Sequence, residues 1–208
     1  MVTTTDSAVK QFISQIRNLY EQEPNVDKRW EKMIPVMREL LADADARKDS
    51  AAWPETVYTD RAENLLFYED PDYGFVLNGF IKISNPDVKP KSLIHDHAQN
   101  WTLYGVLDGT DAIERYERVD DGSKPDYAEV KFTGRFQVGP GDVDLVQPWL
   151  IHAEVGETKR TTAFILRAER PGSFLQGRYN PETNEYWQGY GPRMTPYKLG
   201  GMDSAPTI

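Results

Sequence analysis

From Trp53 onward the chain breaks into short β-type runs separated by Gly, Pro, Asn and Asp, and this texture favours a β-sandwich or barrel for that part. Asn64-Leu65-Leu66-Phe67-Tyr68, Gly74-Phe75-Val76-Leu77, Phe80-Ile81-Lys82-Ile83 and Trp101–Leu107 are apolar enough to be half-buried strands. Ala112–Tyr116, Arg135–Val138, Val143–Val146 and Thr162–Leu166 extend the series. Turns are expected at Asp108-Gly109 and Gly139-Pro140-Gly141-Asp142, and a loop tip at Gly122-Ser123-Lys124-Pro125-Asp126.

The first fifty residues carry a different period. Val9, Phe12, Ile13, Ile16, Leu19 and Tyr20 recur at helical spacing, so a helix is expected over about 7–22, capped by Asp6 or Ser7. A second helical stretch carries Trp30, Met33, Ile34, Met37, Leu40 and Leu41, with Pro35 kinking it or opening its last part. The expected organisation is one domain over 1–208: a helical cap over about 7–45, a β-barrel over about 53–192, and a tail over 193–208.

Composition removes several function classes. With no cysteine there are no disulfides, thiolate ligands or cysteine nucleophiles. The formal charge of −9 comes without a Lys/Arg cluster, so neither nucleic acid nor a membrane surface is an expected partner. No run approaches the roughly 20 apolar residues of a spanning helix, and a cytoplasmic location is the expectation.

All three histidines sit near turns. His95 and His97 form the run Ile94-His95-Asp96-His97, and His152 follows Pro148-Trp149-Leu150-Ile151. Two residues apart on a strand, His95 and His97 project to one face, from which a third histidine on a neighbouring strand completes a facial metal triad.

His95-Asp96-His97, the Gly109 turn, Pro140-Gly141-Asp142 and His152 together resemble the two motifs of the cupin superfamily. The helical N-terminus and this histidine spacing are similar, more closely, to the cysteine dioxygenase family of thiol dioxygenases, over about residues 8–192. The resemblance implies a mainly β fold, a double-stranded β-helix barrel with an N-terminal α-helical cap. It also implies an iron(II) site on His95, His97 and His152, and a dioxygenase that takes a small-molecule substrate and dioxygen.

The chain departs from both patterns. Most cupins carry a glutamate ligand shortly after the His pair, where this chain has Asn100-Trp101-Thr102. Three neutral imidazoles leave the 2+ charge uncompensated, which favours an anionic chelating substrate: a thiolate, enolate or carboxylate. In animal-type cysteine dioxygenases a cysteine crosslinks to a tyrosine; Thr102 takes the cysteine's place and Glu169 falls near the tyrosine's. The Ser-x-His-x-Tyr relay of bacterial relatives corresponds to Ile165-Leu166-Arg167-Ala168-Glu169 and is absent as such.

Arg167 and Glu169, two apart on an expected strand, are candidates to hold a substrate carboxylate and to accept a proton; a plain rim ion pair explains the same pattern. Arg178 matches the position of a carboxylate-binding arginine in mercaptopropionate-type thiol dioxygenases, although a solvated arginine ahead of the loop-like Tyr179-Asn180-Pro181-Glu182 also fits. Arg61 is similar to the carboxylate-binding arginine of cysteine dioxygenase, with the register pointing to Glu63 instead. Trp101 and Trp149, next to ligand histidines, are candidate cavity walls or core residues.

The expected activity is oxidation of a thiol acid to its sulfinate. The competing readings are carbon–carbon cleavage of an enolisable ketone or diketone, a non-redox metal-dependent isomerase or lyase, and a ligand-binding barrel without catalysis.

Overall fold

The computed structural model describes residues 7–54, 62–85 and 91–207. Among the described residues, helices come first: α1 (Ala8–Gln22), α2 (Val26–Ala42) and α3 (Ala44–Ala51). Ser7 caps α1 by accepting a hydrogen bond from the Lys10 N–H, and Asn25 and Asp43 cap the next two in the same way. Pro35 lies inside α2, which continues to Ala42, and the helical cap ends at Ala51, beyond the expected boundary.

Twelve strands follow among the described residues: β1 (Ala62–Glu69), β2 (Val76–Ile83), β3 (Ile94–His95), β4 (Thr102–Asp108), β5 (Asp111–Arg118), β6 (Val130–Val138), β7 (Val143–Val146), β8 (Ile151–Gly156), β9 (Arg160–Arg167), β10 (Leu175–Asn180), β11 (Glu185–Tyr190) and β12 (Thr195–Pro196). They form two six-stranded sheets, β12-β1-β2-β9-β4-β7 and β11-β10-β3-β8-β5-β6. Within these, β2-β9-β4-β7 faces β3-β8-β5-β6, the strand order of an eight-stranded double-stranded β-helix. The fold is therefore mainly β, a barrel of that type with a helical N-terminal cap.

The outer face of the barrel's first sheet is apolar because the helices cover it. Leu65, Phe67, Leu77, Ile81, Leu103, Phe164 and Leu166 point outward and pack under α1 and α2, against Ile16, Trp30, Met33, Met37 and Leu41. Burying each of the Met and Leu side chains contributes about 1.5–3 kcal/mol, so the helices are held by the sheet rather than by their own propensity. On the inner face Tyr104, Val106, Ile113, Val138, Ala163 and Ile165 fill the barrel. A third cluster, with Ile94, Tyr116, Ile151 and Tyr179, covers the outside of the second sheet.

Three local expectations change. Gly74-Phe75-Val76-Leu77 and Phe80-Ile81-Lys82-Ile83, two runs in the sequence, are joined: β2 runs straight through Asn78-Gly79, pairing with β1 and β9 along its length. Glycine is required there because a Cβ at Gly79 would stand 2.3 Å from Phe67 Cζ and 3.1 Å from Trp53 Cζ3. The segment beyond residue 192 is tied in: β12 adds parallel to β1, and Leu199 is buried in the main core. Tyr179-Asn180 belongs to β10, not to a loop, and the β10–β11 hairpin turns at residues 181–184. Among the described residues, no helix is long and apolar enough to cross a membrane.

Candidate metal centre

β3 has only two residues, but its register brings the ligands together. His95 pairs directly with His152 on β8 and with Arg178 on β10, so all three side chains leave the same face of the sheet, into the barrel. The strand stops at His95, so His97 arrives by a route other than the expected two-residue strand period. Asp96 turns the chain: its Oδ1 accepts from the Ala98 N–H (2.8 Å) and the Gly177 N–H (3.1 Å), and its Oδ2 from the Tyr179 hydroxyl (2.5 Å). Ala98 takes a left-handed φ of 50°, and the His97 ring comes back beside His95.

The three rings converge, with centroids 5.1 Å apart for His95–His97, 4.4 Å for His95–His152 and 4.9 Å for His97–His152. One nitrogen from each lies within 4.8 Å of the others. His95 Nδ1–H donates to the Leu93 carbonyl at 2.8 Å and His152 Nδ1–H to the Leu150 carbonyl at 2.9 Å, which leaves both Nε2 lone pairs unprotonated and facing inward. Among the described residues His97 Nδ1 has no acceptor, so its tautomer is not fixed by the protein, and its Nε2 faces the bare Nε2 of His95 at 3.2 Å.

This donor set fits a divalent transition metal. The Nε2 atoms of His95 and His97 stand 3.2 Å apart. Nitrogens bound to one ion at about 2.1 Å are separated by about 3.0 Å at a right angle and about 3.4 Å at the tetrahedral angle, which brackets that spacing. His152 Nε2 is buried without a hydrogen-bond partner, a cost of about 1–3 kcal/mol that an ion would remove. Burial and then the neighbouring His152 pull His95 down to about 4, and burial with the charges of His152 and His95 pulls His97 well below the usual imidazole range. Both are neutral at pH 7, as ligation requires.

The histidines open into a cavity of about 350 Å³ that runs along the barrel axis. Arg167 and Thr102, paired across β9 and β4, line it opposite the histidines. Burial lowers Arg167 to about 10, still cationic at neutral pH, and its Nε donates to Asn78 Oδ1 at 3.1 Å. Arg178 lines the mouth, where its Nη2 donates to the Tyr190 carbonyl at 3.1 Å; burial lowers its pKa. Below the histidines the walls are mainly Ile113, Ile165, Val146 and Phe80. At the floor Tyr104 donates to Asp111 at 2.8 Å, and Asp111 is also held by Lys82 and Thr161.

Other expected residues fall elsewhere. β9 ends at Arg167, so Glu169 is not on the strand; it accepts from the Ser173 hydroxyl and does not line the cavity. The strand alternation that would have aimed it inward stops two residues too early. Trp101 is buried in the main core, stacked on Trp30 with centroids 6.1 Å apart, and Trp149 is 60% exposed on a left-handed turn. Arg61 lies outside the described residues.

One residue of the site is missing from the candidates the sequence offered. Glu154, two residues after His152 on β8, shares its inward face and places Oε1 3.4 Å from His152 Nε2. Its Oε2 accepts from the Ser92 hydroxyl at 2.6 Å, while its N–H donates back to Ser92 Oγ at 2.9 Å. Burial opposes its ionisation, but the His95 and His152 imidazoles and Ser92 outweigh it and hold the carboxyl well below the usual carboxylate range. Its sequence signal is the His152-Ala153-Glu154 pattern, which on a strand puts both side chains on one face.

No protein-family model matches the chain, and no curated protein matches it. Solved structures of similar fold include the cupin domain of Cnp3 from Schizosaccharomyces pombe, 8% identical over 53% of this chain and 69% of that one with a TM-score of 0.39. KdgF from Halomonas sp. is 13% identical over 57% and 87%, with a TM-score of 0.41. Oxalate oxidase in complex with the substrate analogue glycolate is 12% identical over 57% and 56%, with a TM-score of 0.42. At such distances nothing about this chain's activity follows from them, and any functional assignment rests on the site's own residues.

Proposed function

We propose that the protein is a mononuclear non-haem iron(II) dioxygenase acting on a small anionic substrate, a thiol acid converted to its sulfinate. The observation that carries this reading is the convergence of three imidazoles, two of them with Nε2 bare, in a cavity that also holds two arginines. The iron, when bound, supplies the dioxygen chemistry, R–S⁻ + O₂ → R–SO₂⁻, in which both oxygen atoms end on sulfur and no external reductant is needed.

The chain's own residues do the rest. The Leu93 and Leu150 carbonyls fix the tautomers of His95 and His152. Arg178, cross-strand neighbour of His95, is the residue placed to hold the substrate carboxylate, since its guanidinium gives up only one Nη2 donor to Tyr190. Arg167 adds a second buried cation on the opposite wall. Ile113, Ile165, Val146 and Phe80 exclude water from the space beneath.

The test is anaerobic purification with metal analysis, followed by oxygen-uptake assays with mercapto acids and with diketones. Stoichiometric oxygen consumption with a product 32 mass units heavier than the thiol is expected, from the two oxygen atoms added. Turnover of diketones alone, or turnover with zinc and no oxygen uptake, would overturn it.

A further inference from the structure

Resting on the reading above, we propose that the substrate carries two carboxylates besides the atom that meets the ion, and that Arg167 holds the second of them. Arg167 is only 7% exposed and lines the cavity wall opposite the histidines. Its Nε donates to Asn78 Oδ1 at 3.1 Å, and among the described residues Nη1 and Nη2 have no acceptor. Both terminal nitrogens of a buried cation are therefore left for whatever occupies the cavity.

The chain treats its other enclosed cations differently. Lys82 is paired with Asp111 at 2.8 Å, and the largely buried Arg115 with Asp144 at 2.5 Å. Arg167 makes no ion pair among the described residues. Glu154, the carboxylate whose charge acts on it, lies on the facing sheet and keeps Oε2 on the Ser92 hydroxyl. A buried charge without a partner is costly, and an anion in the cavity removes that cost. The guanidinium is also held ready for one. Asn78 fixes Nε and in turn donates to Asn64 Oδ1 at 3.3 Å, with both amides buried, so one edge of the fork is anchored and the other is free for a planar acceptor.

The two arginines stand in different sheets, Arg178 beside His95 on β10 and Arg167 on β9, so each meets its own carboxylate. Charge points the same way. A divalent ion with Arg167 and Arg178 brings four positive charges, of which Glu154 offsets one. A thiolate with one carboxylate neutralises two of the remaining three; a thiolate with two carboxylates neutralises all of them. The substrate class is a small mercapto dicarboxylic acid, which a cavity of about 350 Å³ accommodates.

The experiment titrates the whole zinc-loaded protein, whose ion binds thiolates without redox chemistry, with mercaptosuccinate and 3-mercaptopropionate, probes that differ by one carboxylate. Calorimetry should show wild type binding mercaptosuccinate about 10-fold or more tighter than 3-mercaptopropionate. In Arg167→Met, of similar reach and no charge, that ratio should fall to about 1. The thermal midpoint of the ligand-free variant should not fall, because an unpaired buried charge has gone. Arg167→Lys, which keeps the charge but not the planar fork, should give an intermediate ratio. Equal affinities in wild type, or a preference that survives in Arg167→Met, overturn the second carboxylate site and leave the metal reading standing. So does an equal loss of both probes in that variant. A wild-type preference with no oxygen uptake by the iron-loaded form keeps the two-carboxylate site and overturns the oxidation. A wild-type protein that takes up no zinc overturns both.

Discussion

His95 and His152 face each other across β3 and β8 as a directly registered pair, and each donates its Nδ1–H to the carbonyl two residues before it. The two rings are thus oriented by backbone on strands that the sheet already holds. Replacing either with alanine should reduce iron or cobalt affinity by more than about 100-fold, beyond the roughly 10–100-fold typical of losing an outer partner. Metal content after dialysis against a weak chelator reads this directly, and variants that retain a full equivalent of metal would remove the residue from the centre.

Asp96 shapes the turn between the paired histidines and touches no ligand position itself. Asp96→Asn removes an acceptor for Tyr179 or for the Ala98 and Gly177 amides, all of them buried. It should cost about 1–3 kcal/mol in urea unfolding and weaken metal binding. Gly177→Ala should act in the same direction, because a Cβ there would lie 2.4 Å from Asp96 Oδ2.

The metal-free protein should lose stability as the pH falls. His95 is lowered to about 4 and His97 well below its usual range, chiefly by burial. Unfolded imidazoles take up protons near 6.5, so between about 6.5 and 4 the unfolded state binds more protons than the folded one. The contribution is fully present above about 6.5 and declines as the pH drops through that window. Urea midpoints at pH 7.5, 6, 5 and 4 on protein stripped of metal would show the slope; a flat profile would mean the rings are not buried neutral.

Arg178→Ala should raise KM for an acidic thiol by about 10–100-fold, the loss of one charge-assisted contact, with metal content unchanged. Glu169→Gln, by contrast, should leave kcat and metal content as they are, because Glu169 is bonded to Ser173 outside the cavity. Steady-state kinetics on both variants separate the residue that reaches the cavity from the one that does not.

Local pattern was enough to read the helical cap, most of the strands and the three histidines, because helical period, turn residues and the identity of metal donors are all short-range properties. Pairing decided the rest. The runs on either side of Asn78-Gly79 read as separate strands and form one, with Phe67 and Trp53 closing over Gly79. Glu169 lost its place when β9 ended at Arg167. Glu154 reached the histidines through the inward face of β8, set by its register with β3 and β5. The sequence by itself named the donors; which carboxylate and which arginine meet them depended on cross-strand register, which no single strand's own residues encode.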